Sequence, residues 1–272
     1  MSVKVEASHD GVPHNTVMII GGLIALVSLY IAMVGETILK VDTLAFFGGI
    51  AVVGALIWGN STIKRLCSYG IGTGVPSAGM LAFGAGTVAF VAGSIFLTKT
   101  YGIWIIPIGV LVLALILGFI FGWIANSVEN MKIPVMVRSI AELSMVGAIS
   151  LAGFAVLATG KISFNELSGF IGAGIIAVGF MLGAIALQHP FNACLGPGEK
   201  QDRTNMLAIA CGFLSMLVMA VISFAFLSAK AAVISLVIAI VGWLIAYLKY
   251  IKLSKRDAAA WLDAKPFEDV EE

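Results

Sequence analysis

Charge is scarce in this 272-residue chain: Asp, Glu, Lys and Arg together make up 11%, while hydrophobic residues reach 60% and the mean hydropathy is +1.06. Soluble domains carry about 25% charged residues, so a water-soluble globular domain is excluded. Sixteen Lys and Arg against fifteen Asp and Glu leave a formal net charge of +1. That balance offers no surface for nucleic acid or another polyanion. Cysteine and histidine are also few, with Cys67, Cys194 and Cys211 and His9, His14 and His189 scattered in no ligand spacing. A disulfide framework and a zinc site are therefore unsupported, and no catalytic, cofactor-binding or metal-ligating residue is assigned. The phosphate-binding glycine loop, the nucleophile elbow and the His-Glu-x-x-His zinc motif are missing as well, which removes support for hydrolysis of nucleotides or peptides.

Apolar runs fill the chain instead. A spanning helix needs about 20 predominantly apolar residues. Eight stretches qualify, at roughly 16–35, 44–60, 77–97, 103–126, 139–158, 169–188, 205–229 and 231–250. The expectation is an all-α integral membrane protein, a bundle of about eight transmembrane helices over 16–250. It is flanked by an N-terminal segment, 1–15, and a C-terminal tail, 251–272. The N-terminal segment lacks the cleavage pattern of a secretory signal, so the first span is expected to stay. With eight spans, twelve of the sixteen Lys and Arg fall on the side shared by both termini, and only Lys40, Lys99, Lys161 and Lys230 on the other. Basic residues collect on the cytoplasmic side of short loops, which predicts a multi-pass cell-membrane protein with both ends cytoplasmic. The thinnest join is Lys230, which alone separates the last two spans.

An offset of 126 residues maps Gly70-Ile71-Gly72 and Met80-Leu81-Ala82 onto Gly196-Pro197-Gly198 and Met206-Leu207-Ala208. It carries the first four spans onto the last four, which suggests two parallel repeats, 13–138 and 139–264. Bias toward glycine and alanine is the alternative account of part of the match. The small-residue pairs Ala82/Gly86, Ala208/Gly212 and Gly179/Gly183 let helix backbones approach closely.

Two segments, Ser61 to Pro76 and His189 to Thr204, read as loops rich in glycine and proline. Gly70, Gly72, Gly196 and Gly198 break helix there and leave backbone groups free to meet an ion. The bland alternative is an ordinary turn or a docking surface, with His189, Asn192 and Arg203 as candidate contacts with neighbouring subunits. Glu142 is the acid set well inside a span, and an intramembrane carboxylate is a functional hypothesis by default. It suits a hard cation such as sodium; equally, Ser139 and Glu142 have the spacing of a capping box that opens the fifth span. Asn60 and Asn126 read as helix terminators, Cys67 and Cys194 as small buried or interfacial thiols. Lys249, Lys252, Lys255 and Arg256 follow the last span as a basic face beside anionic headgroups.

Tyr69-Gly70-Ile71-Gly72-Thr73-Gly74-Val75-Pro76-Ser77, and above all His189-Pro190-Phe191-Asn192-Ala193-Cys194-Leu195-Gly196-Pro197 followed by Gln201-Asp202-Arg203-Thr204, resemble the signature stretches of the family formed by the C subunit of tetrahydromethanopterin S-methyltransferase. Pro13-His14-Asn15 before the first apolar helix is similar too, so the resemblance covers nearly the whole chain. It implies a methanogen membrane complex that passes a methyl group from methyl-tetrahydromethanopterin, through a cobamide on another polypeptide, to coenzyme M, with sodium ions exported. In that setting this chain binds no cofactor itself, lies with the D and E membrane subunits, and contributes to the sodium path or its scaffold. The resemblance carries no sodium ligand onto a residue here. A free-standing secondary transporter and a purely structural membrane anchor are the competing readings.

Overall fold

The computed structural model describes residues 11–69, 75–193 and 200–263. Among them the chain forms helices and turns and no strand, as a bilayer demands of a spanning polypeptide that must satisfy its backbone internally. Nine α-helices follow one another among the described residues: α1 (His14–Thr37), α2 (Phe46–Cys67), α3 (Val75–Tyr101), α4 (Ile106–Trp123), α5 (Met136–Thr159), α6 (Phe164–Gly172), α7 (Ile175–Ala193), α8 (Gln201–Ser223) and α9 (Ala229–Asp263). Seven of them are long and apolar enough to cross a membrane alone, and α6 with α7 makes an eighth candidate, bent by 78°. The bend falls at Gly174, whose φ of +75° lies in the left-handed region that glycine adopts freely. At 1.5 Å per residue the 19 residues of α7 reach about 28 Å, nearly the thickness of the hydrocarbon core. The short α6 turns away from it and buries Leu167 and Phe170. The thin join at Lys230 separates two distinct helices, α8 and α9.

Two expected loops are partly helix. The α2 helix runs to Cys67 and α7 passes through Pro190 to Ala193, so Ser61–Cys67 and His189–Ala193 are helical. Polar side chains in this part of α2 find partners on neighbouring helices, and Lys64 and Arg65 sit in its last turn, where cations favour the helix dipole.

The helix α5 is the axis of the bundle, with 94% of its spanning window buried. Glycines let its neighbours reach it. A Cβ added at Gly48 of α2 would collide with the Gly153 carbonyl oxygen, and one at Gly86 of α3 would collide with that of Ser144. From α4, Gly118 and Gly122 meet the α5 backbone at Ala141 and Val137 in the same way. Without a hydrophobic drive between helices in lipid, such close backbone packing is a principal source of cohesion. Of the expected small-residue pairs, Gly86 makes a backbone crossing, whereas Gly183 instead admits the Phe83 ring. The counterpart of α5 at the 126-residue offset, α1, lies on the rim and packs chiefly on α2 through Gly21 and Gly54.

The beginning of α1, the beginning of α8 and the end of α9 share one face. Gln201 bonds both the amide and the carbonyl of Val12, at 2.6 and 2.9 Å, and Arg256 bonds Asp202 at 3.0 Å. The opposite face is tied by Lys161 to Glu36 at 3.4 Å and by the Ser228 amide to Asp42 at 3.0 Å.

Candidate functional site

Burying a charged carboxylate is costly unless it is paired and hydrogen-bonded. Glu142, in the second turn of α5 with a side chain 7% exposed, has four. One oxygen, Oε1, accepts from Nε of Arg138 at 2.7 Å and from Nη2 of Arg65 at 3.3 Å. The other, Oε2, accepts from the Thr62 hydroxyl at 2.8 Å and lies 3.0 Å from Nε2 of His14. The geometry follows from helix spacing. Arg138 and Glu142 are four residues apart on α5, and Thr62 and Arg65 three apart on α2, so each pair shares a face. His14 is the first residue of α1, with Pro13 at its cap.

A second ring holds these groups in place. Nδ1 of His14 lies 2.9 Å from the Ser61 hydroxyl, Arg65 donates to the Ser139 hydroxyl at 3.2 Å, and Arg138 donates to the Asn15 side-chain oxygen at 2.8 Å. Two guanidinium groups face one carboxylate, which leaves the cluster with an excess positive charge. The Arg65 side chain is 17% exposed and that of Arg138 is 53% exposed, so the first is an interior charge and the second opens to the surroundings.

The capping-box expectation does not hold. The α5 helix starts at Met136 with Val135 as its cap and no side-chain cap bond; Ser139 is already helical and accepts from Arg65. Asn60 does not end α2 either. It lies buried within the helix and donates to the Asn205 side-chain oxygen of α8 at 2.8 Å. Asn126 does sit where α4 ends, in a π-turn, and accepts the Ile133 amide at 2.8 Å. Cys67 is buried and Cys211 half-buried, whereas Cys194 lies outside the described residues.

Gly70, Gly72, Gly196 and Gly198 also lie outside the described residues. His189 is exposed near the end of α7, Asn192 belongs to the last turn of that helix, and Arg203 is half-buried in the first turn of α8. Glu142 finds its partners elsewhere, on α1, α2 and α5. Of these, the i, i+4 spacing of Arg138 and Glu142 is readable locally; the contributions of His14, Thr62 and Arg65 arise only when the helices pack. Among the described residues no three His, Cys, Asp or Glu side chains gather into a metal-ligand set.

Comparison with known proteins gives this arrangement its context. The family model for the C subunit of tetrahydromethanopterin S-methyltransferase matches residues 1–266. The chain is similar to proteins from several methanogens that are named as the C subunit of the same methyltransferase. It is 36% identical over 249 residues to that of Methanococcus maripaludis strain C5, covering 90% of each chain. It is 34% identical over 264 residues to that of Methanocaldococcus jannaschii, covering 96% of this chain and 95% of the other. With the Methanosarcina barkeri protein the identity is 36% over 251 residues, covering 92% and 90%. Those names designate one subunit of a methyltransferase with several, and the long apolar helices here make the present chain a multi-pass membrane component. With a whole-chain family match and about one residue in three shared along nearly all of its length, the chain belongs to the family of tetrahydromethanopterin S-methyltransferase C subunits.

Proposed function

We propose that this chain is a non-catalytic membrane subunit of a sodium-translocating complex that moves a methyl group from methyl-tetrahydromethanopterin to coenzyme M in methanogenesis. Its part is to scaffold the sodium path. The supporting observation is the Glu142 cluster, in which both carboxylate oxygens already accept from protein donors, two of them guanidinium groups. A cation entering there would compete with two fixed positive charges at a few ångströms, so the carboxylate serves better as a tie between α1, α2 and α5 than as an ion ligand. The glycine segments at Gly70 and Gly72 and at Gly196 and Gly198 are the places where the path meets this chain. The cobamide belongs to a partner, and the D and E subunits are the expected membrane neighbours. His189, Asn192 and Arg203 are proposed contacts with neighbouring subunits, on the face we assign to the cytoplasm because Lys and Arg are concentrated there.

A tag on this chain, followed by extraction in mild detergent, tests the proposal. The chain should co-purify with a corrinoid polypeptide and with sodium-stimulated methyl transfer, and should show no methyl transfer when separated. Isolation as a lone homo-oligomer that transports a solute when reconstituted would favour the free-standing transporter and overturn it.

A further inference from the structure

A concave groove of about 870 Å³ opens between α1 and α4, within the size range of small-molecule sites. Trp58 and Met145 are among its lining residues, Leu23 and Leu115 form opposite sides, and Arg138 and Glu142 contribute its polar part. It is open laterally because α1 and α4 scarcely touch. On α1 its lining runs from Met18 to Leu26, and on the antiparallel α4 from Phe119 back to Leu111. Each stretch is eight helical steps, or about 12 Å at 1.5 Å per residue. Half of a hydrocarbon core of about 30 Å is about 15 Å, so the groove is one leaflet deep.

Two observations choose the occupant. A transmembrane helix from a partner needs the whole thickness of the bilayer, whereas a lipid chain needs one leaflet. The polar part of the groove also has a sign: the two guanidinium groups outnumber the one carboxylate, and Arg138 is the member that is half exposed. Its bonds to Glu142 and Asn15 use Nε and Nη2, and neither uses Nη1. We propose that the groove holds an acyl or isoprenoid chain of a membrane lipid from the leaflet on the side of the chain termini, with an anionic headgroup against Arg138. Phosphate or another headgroup anion there balances the excess charge of the cluster, while the hydrocarbon covers the apolar wall that α1 and α4 leave open.

The test uses the tagged protein in its purified complex, delipidated in detergent and offered dioleoyl phosphatidylglycerol or dioleoyl phosphatidylcholine, with retained lipid counted by native mass spectrometry. Phosphatidylglycerol should be retained in preference by about tenfold, the scale of one charge-assisted hydrogen bond. Arg138→Gln should abolish that preference. Gly22→Leu supplies an independent arm, because Gly22 lines the groove and a Cβ there meets the Trp58 ring at an ordinary 3.7 Å. It fills the groove without touching the Arg138 and Glu142 bonds, and retention of both lipids should fall. Equal retention of the two lipids by the unaltered protein, or undiminished retention in Gly22→Leu, overturns the proposal. So does efficient cross-linking of Leu115→Cys to a partner polypeptide, which would place protein in the groove.

Discussion

Replacing Glu142 with leucine removes both carboxylate oxygens from the cluster at once, and the cost can be worked out donor by donor. Arg65, with a side chain 17% exposed, loses its carboxylate and keeps only the Ser139 hydroxyl. Removing one partner of a buried ion pair typically costs about 3–5 kcal/mol, because the surviving charge stays desolvated. Arg138 is 53% exposed and can turn to water, so its share is at most about 1 kcal/mol. Thr62 can fall back on the Trp58 carbonyl, which it already meets at 3.2 Å, so its share is smaller than that of an ordinary hydrogen bond. The Arg65 term dominates, and Glu142→Leu should destabilise the folded bundle by about 3–5 kcal/mol. At roughly 2–4 °C per kcal/mol for a chain of this size, the melting temperature in detergent should fall by about 6–20 °C. Glu142→Gln keeps the shape and one acceptor and should fall between. The double variant Arg65→Met/Glu142→Leu, which removes the half-buried guanidinium together with the carboxylate, should recover most of the loss. Differential scanning fluorimetry of the purified complex reads all three, with sodium-coupled methyl transfer measured in parallel. A Glu142→Gln protein with unaltered melting and assembly but no sodium coupling would refute this reasoning and make the carboxylate an ion ligand.

At the α2–α5 crossing, Gly48→Ala should destabilise by about 1–3 kcal/mol, since its new Cβ meets backbone atoms of Gly153 and Leu157 that cannot rotate away. Gly169→Ala, with nothing within 4 Å, should be neutral or stabilising by up to about 1 kcal/mol in the same melting assay. Gln201→Ala removes both bonds to the Val12 backbone and should speed hydrogen exchange of the Val12 amide without altering the core. Lys161 has its pKa raised, first by its hydrogen bond to Glu166 and then by the charges of Glu166 and Glu36, against desolvation. A raised basic pKa adds stability that is complete below the ordinary lysine value of 10.5 and is lost as pH climbs through the higher folded value. Lys161→Met should therefore flatten the alkaline limb of a melting-temperature profile, and an unchanged limb would count against the bridge.

The spans are legible because lipid imposes a length and a composition that one sequence window can display. The ends are less so. Hydropathy alone stops α2 near Asn60, because Asn, Ser, Thr, Lys and Arg close together look like an exit from the membrane. Folding instead gives most of them a partner at a distance: Asn205 for Asn60, His14 for Ser61, and Glu142 for Thr62 and Arg65. These partners are 47 to 145 residues away in sequence, beyond any local period. Glu142 stands out by its rarity, but rarity does not reveal its company. The bend between α6 and α7 escapes the sequence for the opposite reason: apolar composition continues across Gly172-Ala173-Gly174, and the hydropathy pattern does not register a change of direction.

The placement of the cluster follows from the weakness of hydrophobic sorting inside a bilayer. The helices α2, α3 and α4 reach α5 at glycines, where backbone contact is extensive and needs no polar help. On the rim, α1 has glycine contacts with α2, and its tie to the axis is polar, through His14 to Glu142 and Asn15 to Arg138. A hydrogen bond between helices is worth more where water cannot replace it, so a few polar side chains at one end of α5 add to the register that glycine packing against α2 already gives α1. The same acid also holds Arg65 and Thr62 of α2, so α1 and α2 are registered against one point on the axis. Loss of Glu142 should therefore loosen the beginning of α1 before α3 and α4, which meet α5 itself at glycines, and hydrogen exchange should show increased opening at the beginning of α1 while the middle of α5 stays protected.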